Sequence, residues 1–348
     1  MNLLHGVGDF FSLDIGTNSM RIIQLAGDDR SGWALIRYAY VPIEQRLTAD
    51  TTELGRKRLG EAIMGAVEQA GIKTKSVAVG LPAAKTFTSI VETDTLPEKE
   101  LSKVFKYEID KYVPMPMSDA KADYVILGPS PNDPQKTEIL VSSVAREYAE
   151  NVLETIEKTG LNVIAMEPEP LAMARSLNIP GSIDANLIVD LGEKSTDLVI
   201  TYQGKPRLVR SIQGGFNQFL TAVTAGLNVK EDQARQFITK FGLAEDKVEG
   251  QVFKVLGPSL ENYASELAKS VRFFQTKYLN GKVGNIVLSG YASVIPLFSE
   301  YIEAKTNIPT MKGNPWQLVR TTPEQQHALM PVASEFGVVI GLSERSND

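Results

Sequence analysis

Two short segments, Asp14-Ile15-Gly16-Thr17-Asn18-Ser19 and Asp190-Leu191-Gly192-Glu193-Lys194-Ser195-Thr196, carry side chains suited to holding a chain of phosphates. A polyphosphate needs many donors aimed inward without bulk in the way. Turns of Gly, Ser and Thr supply backbone amides and hydroxyls at little steric cost. Asp14 and Asp190 open the two segments. At that place a carboxylate either holds waters of a hydrated Mg2+, an ion that takes few protein ligands, or merely caps its own turn. One Asp-x-Gly turn between apolar runs is usually a plain hairpin. Two of them, each at the start of one half of the chain, favour phosphate chemistry.

Two further segments add to the set. Ser289-Gly290-Tyr291 follows an apolar run and opens a helix, so Gly290 lets the backbone approach a flat ligand such as an adenine-ribose unit; alone it is only a helix start. Gly214-Gly215, between Ile212 and another helix, has the same two readings and leans toward plain structure.

The elements that must position these residues follow from periodicity. Phe10–Leu13 and Arg21–Leu25 read as strands around the first turn, Trp33–Tyr40 as a third strand, residues 54–69 as a helix with Leu59, Ile63 and Val67 on one face, and Ser76–Gly80 as a buried strand. Residues 86–159 change to strand, helix (98–112), two strands and helix, with turns punctuated by Pro114, Pro116, Pro129, Pro131 and Pro134. A strand at 161–165 and a helix at 170–177, a candidate hinge, lead to a second copy of the opening design: strands at 187–190, 197–202 and 207–212 around the second turn. Helices at 215–225, 230–241 and 258–278, a strand at 285–289 and helices at 293–306 and 331–342 complete the pattern. The two halves are therefore expected to be related α/β lobes gripping one ligand from both sides.

Composition removes other chemistries. The chain has 348 residues, which exceeds the usual size of one core, and a net charge of -6 with Lys and Arg scattered, so a continuous basic surface for nucleic acid is not expected. No cysteine occurs, which removes disulfides and thiolate metal sites, and His5 and His327 are the only imidazoles. Residues 1–11 lack the basic start and apolar run of an export signal, and no apolar stretch approaches the roughly 20 residues of a membrane-spanning helix. A cytoplasmic protein touching membranes only indirectly is expected.

The order Asp-Ile-Gly-Thr, Glu167-Pro168, Asp-Leu-Gly, Gly-Gly and Ser-Gly resembles the actin, heat-shock chaperone and sugar-kinase superfamily across nearly the whole chain. That resemblance implies an α/β, actin-like (ribonuclease H-like), two-lobed ATPase fold with an inserted α+β subdomain. It implies ATP and Mg2+ as cofactors. Asp14 and Asp190 would be metal ligands, and Asp190 with Glu167 the catalytic carboxylates; Glu167 is otherwise a helix-start carboxylate. Asp14, Gly16, Thr17, Asn18, Ser19, Gly192, Lys194, Ser195, Thr196, Gly214, Gly215, Ser289, Gly290 and Tyr291 would bind nucleotide. The expected division is residues 1–84 with 161–180 and 331–342 as the first lobe, 85–160 as the insertion, and 181–330 as the second lobe.

Val104-Phe105-Lys106-Tyr107-Glu108-Ile109-Asp110-Lys111-Tyr112-Val113-Pro114-Met115-Pro116, later Asp123-Tyr124, and Glu157-Lys158-Thr159-Gly160-Leu161 are similar to the PilM family of type IV pilus assembly proteins. The position of the insertion is similar too. This implies an ATP-binding platform at the cytoplasmic face of the inner membrane, docking the N-terminal cytoplasmic tail of PilN in a groove between the first lobe and the insertion, with other platform proteins, the pilus ATPases and self-association as further partners. Met1-Asn2-Leu3-Leu4 shares an Asn-Leu-Leu triplet with that tail and is a candidate mimic of it. The sequence departs from the superfamily at residues 232–238, where Asp232, Gln233, Ala234, Arg235 and Gln236 stand near the place of a ribose-binding Glu and Lys, and at the bulky Glu193 and Lys194. A small-molecule kinase and a polymerising, FtsA-like division protein are the alternative functions on this fold.

Overall fold

The computed structural model describes residues 9–28 and 31–345. The Met1–Leu4 segment singled out above lies outside them. The chain forms two units: one holds residues up to Ser176 together with Asn314 onward, the other Leu177–Gly313. The sequence reading placed 314–330 with the second half; in the structure this stretch packs into the first unit, because Val319 and Leu329 are buried with Trp33, Leu35 and Phe336.

The first unit opens with β1 (Phe11–Ile15), β2 (Ser19–Asp28) and β3 (Gly32–Pro42), an antiparallel meander. After the short α1 (Gln45–Ala49) comes α2 (Glu53–Ala70), started by Thr52, whose hydroxyl accepts from the Gly55 amide, and stopped by Gly71 at φ 68°. Its stripe Ile63, Ala66, Val67 and Ala70 is buried with Phe11, Leu13, Val77 and Val79. Next is β4 (Ser76–Leu81), parallel to β1.

The insertion is β5 (Thr86–Asp94), α3 (Glu98–Glu108), β6 (Ala120–Pro129) and β7 (Lys136–Ala145), a separate antiparallel sheet in the order β5-β7-β6 with its own core of Leu101, Phe105, Ile109, Ile139 and Val141. The helix expected to Tyr112 tightens to a 3-10 turn after Glu108. Then follow α4 (Arg146–Glu157), β8 (Asn162–Pro168), parallel to β4, and α5 (Glu169–Leu177).

The second unit repeats the meander as β9 (Ala185–Leu191), β10 (Ser195–Tyr202) and β11 (Lys205–Gln213), continues through α6 (Phe216–Leu227), α7 (Glu231–Phe241) and α8 (Gln251–Lys277), and ends with β12 (Val283–Gly290), α9 (Tyr291–Val294), α10 (Phe298–Thr306) and β13 (Thr310–Lys312). Its sheet runs β11-β10-β9-β12-β13. The first unit's sheet runs β14-β3-β2-β1-β4-β8, where β14 (Val319–Arg320) is the returning segment. Without β14 the two sheets have one topology, so the duplication read from the turns extends to the whole scaffold. α11 (Pro323–Leu329) and α12 (Gly337–Ser343) close the first unit, and all seven residues of α12 are buried. No helix of the described residues is long and apolar enough to cross a membrane.

Candidate functional site

In each sheet the central parallel strands end at one edge, and the turns chosen from sequence stand there, the edge where open α/β sheets bind ligands. In the first unit Gly16 donates to the Ser19 carbonyl at 3.0 Å and Ile43 to that of Asn18 at 2.9 Å, while the amides of Thr17 and Asn18 donate to no protein acceptor among the described residues. These are the donors a phosphate would use. Register places Leu13 beside Val79 and Gly80 beside Glu167, so Asp14 and Glu167 stand at the same sheet edge two strand spacings apart, roughly 10 Å.

Both carboxylates meet guanidinium groups that sequence reading did not assign. Arg21 Nη1 donates to Asp14 Oδ2 at 2.7 Å, and its Nη2 donates to Glu335 Oε2 at 2.7 Å and Ser19 Oγ at 2.9 Å. Burial alone would lower the Arg21 pKa; Asp14 and Glu335 outweigh it and raise it. The charge of Asp14, a candidate metal ligand, is thus met by a tethered cation.

Glu167 lies in β8, one residue before its end, rather than starting the helix, and both its oxygens accept from Arg175, at 2.7 and 2.6 Å, with Arg345 at 3.7 Å. Burial pushes the Glu167 carboxyl up, and the Arg175 guanidinium overcomes this and holds it below the usual range. Glu167→Gln would take from Arg175 the carboxylate that it holds through both terminal nitrogens. Removing one partner of a buried pair costs about 3–5 kcal/mol, and because the Arg175 side chain is 32% exposed about 2 kcal/mol is expected, readable as a lowered urea midpoint. Since the pair lowers the Glu167 pKa, its contribution is present above the unfolded value and is lost as pH falls through the folded one.

In the second unit the register pairs Ser289 with Asp190 and Gly290 with Leu191, bringing the β9 turn and the start of α9 together. Gly192 donates to the Ser195 carbonyl at 3.0 Å, Gly214 to that of Lys194 at 3.3 Å, and Thr196 Oγ1 donates to the Gly214 carbonyl at 2.9 Å. The first amides of α6 are also spent inside the protein: Phe216 donates to Gly192 and Asn217 to Glu193. Gly214-Gly215 is therefore a packing device. A Cβ on Gly215 would stand 2.5 Å from the Gly192 carbonyl oxygen. The amides of Glu193 and Lys194 have no protein acceptor, and the exposed Lys194 side chain makes no ion pair among the described residues.

Equivalent positions of the two hairpins differ in charge. Asp14 faces Arg21 across β1 and β2, whereas Asp190 faces Asp197 across β9 and β10. Burial pushes the Asp197 carboxyl up to about 7, the Ser211 hydroxyl pulling it down and Asp190 adding to the rise. Two carboxylates facing each other suit a hydrated divalent cation. Asp197, missed from sequence, lies at the spacing from Asp190 that Arg21 has from Asp14, so aligning the halves would have found it. Beside the turn, Arg235 Nη2 donates to Glu193 Oε1 at 2.7 Å and Nη1 to the Tyr291 hydroxyl at 2.9 Å, which itself donates to Glu193 Oε2 at 2.7 Å. The Tyr291 ring stacks on Phe216, centroids 4.1 Å apart.

The family model for the type IV pilus assembly protein PilM matches residues 12–347. The chain belongs to the PilM family. Among solved structures it is similar to a PilM–PilN type IV pilus biogenesis complex, with TM-score 0.80 and 21% identity over 98% of this chain and 99% of that one. It is also similar to the ethanolamine utilization protein EutJ from Carboxydothermus hydrogenoformans, with TM-score 0.57 and 13% identity over 97% and 90% of the chains. A third likeness is to MreB5 of Spiroplasma citri bound to ADP, with TM-score 0.55 and 15% identity over 96% and 95%. These likenesses give the fold, which is actin-like.

Proposed function

We propose that this PilM-family chain is a nucleotide-binding scaffold of a type IV pilus assembly platform, that it docks the N-terminal tail of a PilN protein, and that nucleotide alters that docking with hydrolysis slow or absent. The observation that carries the scaffold reading is the family match over residues 12–347, joined by the likeness to a PilM–PilN complex. The nucleotide reading is supported by the two duplicated turns, whose amides at Thr17, Asn18, Glu193 and Lys194 have no acceptor among the described residues, and by the likeness to an ADP-bound MreB5.

The residues suit ATP with Mg2+. Asp190 and Asp197 would hold the waters of the ion, whose charge would offset that of the phosphates. Asp14 is matched by Arg21 and would act in orienting that guanidinium. Glu167, tied to Arg175, orders the sheet edge, and slow or absent hydrolysis is consistent with a carboxylate that is not free to take a proton from water.

Calorimetric titration of a synthetic PilN tail peptide tests this. Its affinity for ATP-loaded protein is expected to differ about fivefold or more from that for the nucleotide-free form, since a ligand shifts an equilibrium only by its differential affinity. Equal affinities would remove the coupling, and no binding in either state would remove PilN as the partner.

A further inference from the structure

The cluster beside the second turn has a property that phosphate binding alone does not explain. Glu193 lies within the turn, its side chain 6% exposed, and it holds two donors from outside the turn: the Arg235 guanidinium through two contacts of 2.7 and 3.3 Å, and the Tyr291 hydroxyl at 2.7 Å. The guanidinium also lies 5.1 Å from the Phe216 ring and 5.7 Å from that of Tyr291. Planar, two-toothed groups of this kind are what a phosphate takes up. Here the chain's own carboxylate has them.

We propose that Glu193 is an internal competitor for the nucleotide: it occupies Arg235 and Tyr291 in the ligand-free protein, and a nucleoside polyphosphate binds the second unit by taking Arg235 from it. The inference deepens the nucleotide reading above and rests on it. A phosphate reaching the Glu193 and Lys194 amides stands beside a carboxylate in the same turn, and the guanidinium that would match its charge is not available to it while Arg235 stays bound to that carboxylate. A polyphosphate with its metal gains from Arg235 what Glu193 gives up, so binding is weaker than the donors alone would allow and is coupled to movement of the Arg235 side chain. The neighbouring Glu231, 3.7 Å from Arg235 and 70% exposed, is too solvated to replace Glu193 as the counter-charge.

The test is calorimetric titration of ATP with Mg2+ into wild type, Glu193→Gln, Glu193→Gln combined with Arg235→Met, and Tyr291→Phe. Glu193→Gln is expected to bind about tenfold more tightly than wild type, and the double variant to lose that gain. Tyr291→Phe, which keeps the aromatic stack and removes the hydroxyl that accepts from Arg235 Nη1 and so helps hold the guanidinium beside Glu193, is expected to gain about threefold and carries the test should Glu193→Gln fail to fold. Binding to wild type with no gain in either single variant overturns the competition and leaves the nucleotide reading standing. Absence of binding in every form overturns both.

Discussion

Gly341→Ala is expected to cost about 3 kcal/mol of the first unit's stability, a large share of the roughly 5–15 kcal/mol that holds a domain together. A Cβ at position 341 would fall 1.8 Å from the Ala172 carbonyl oxygen and 2.4 Å from its carbon. These are backbone atoms of α5, so no rotamer change relieves the overlap and the two helices must part. Parting them breaks the Arg175 Nε bond to the Gly341 carbonyl, 2.8 Å, and the Ser176 hydroxyl bond to that of Gly337, 2.7 Å. It also strains the contact between Ser12 and Ser343, 2.8 Å, in the buried seam with β1. Urea unfolding of the variant beside wild type measures this. A loss under 1 kcal/mol would mean that α12 slides along α5 at little cost, contrary to its complete burial.

The second large effect is at Gly290. Its backbone, at φ 58° and ψ −142°, lies in a region that is essentially glycine's alone, and an added Cβ would stand 2.5 Å from the Leu191 carbonyl oxygen and 2.6 Å from Asp190 Oδ1. Gly290→Ala therefore strains the β12 to α9 junction by about 1–3 kcal/mol and displaces the carboxylate that faces Asp197. A fall of about 100-fold in Mg2+-ATP affinity is expected, together with a lower unfolding midpoint. A variant that is destabilised but binds ATP as wild type does would separate the junction from ligand binding. It would move the metal away from Asp190.

What could be read from sequence follows from how local each signal is. The two Asp-x-Gly turns are legible because short apolar runs flank them and their own residues dictate a tight reversal; α2 is legible through Thr52, Gly71 and the stripe between them. Periodicity starts this helix at Pro258, yet α8 starts at Gln251 with the proline inside. The bond lost at proline is tolerated because Leu256, Leu260, Tyr263 and Ala264 on either side are buried in the core. The expected helix over 293–306 is broken instead, with Leu297 at φ 60° between α9 and α10. β13 and β14, three and two residues long, exist only through their partners β12 and β3 and leave no periodicity to read. The site divides the same way. Turn residues are sequence neighbours, whereas Arg21 and Glu335 are 314 residues apart and Glu193 and Arg235 are 42 apart, so the ion pairs that set the charge of each turn are products of the fold.

The discontinuity of the first unit bears on how the polypeptide is made. Leu177–Gly313 is one uninterrupted stretch that holds its whole core and all five strands of its sheet. The earlier-translated unit lacks α12 until the last codons for its interior are read, which leaves Ile23, Trp33 and Leu35 without the cover of Val339 and Ile340. On the ribosome the order of completion is therefore inverted: the later-encoded half matures first, and the half begun at the amino terminus waits with an open apolar flank, the kind of intermediate that attracts chaperones.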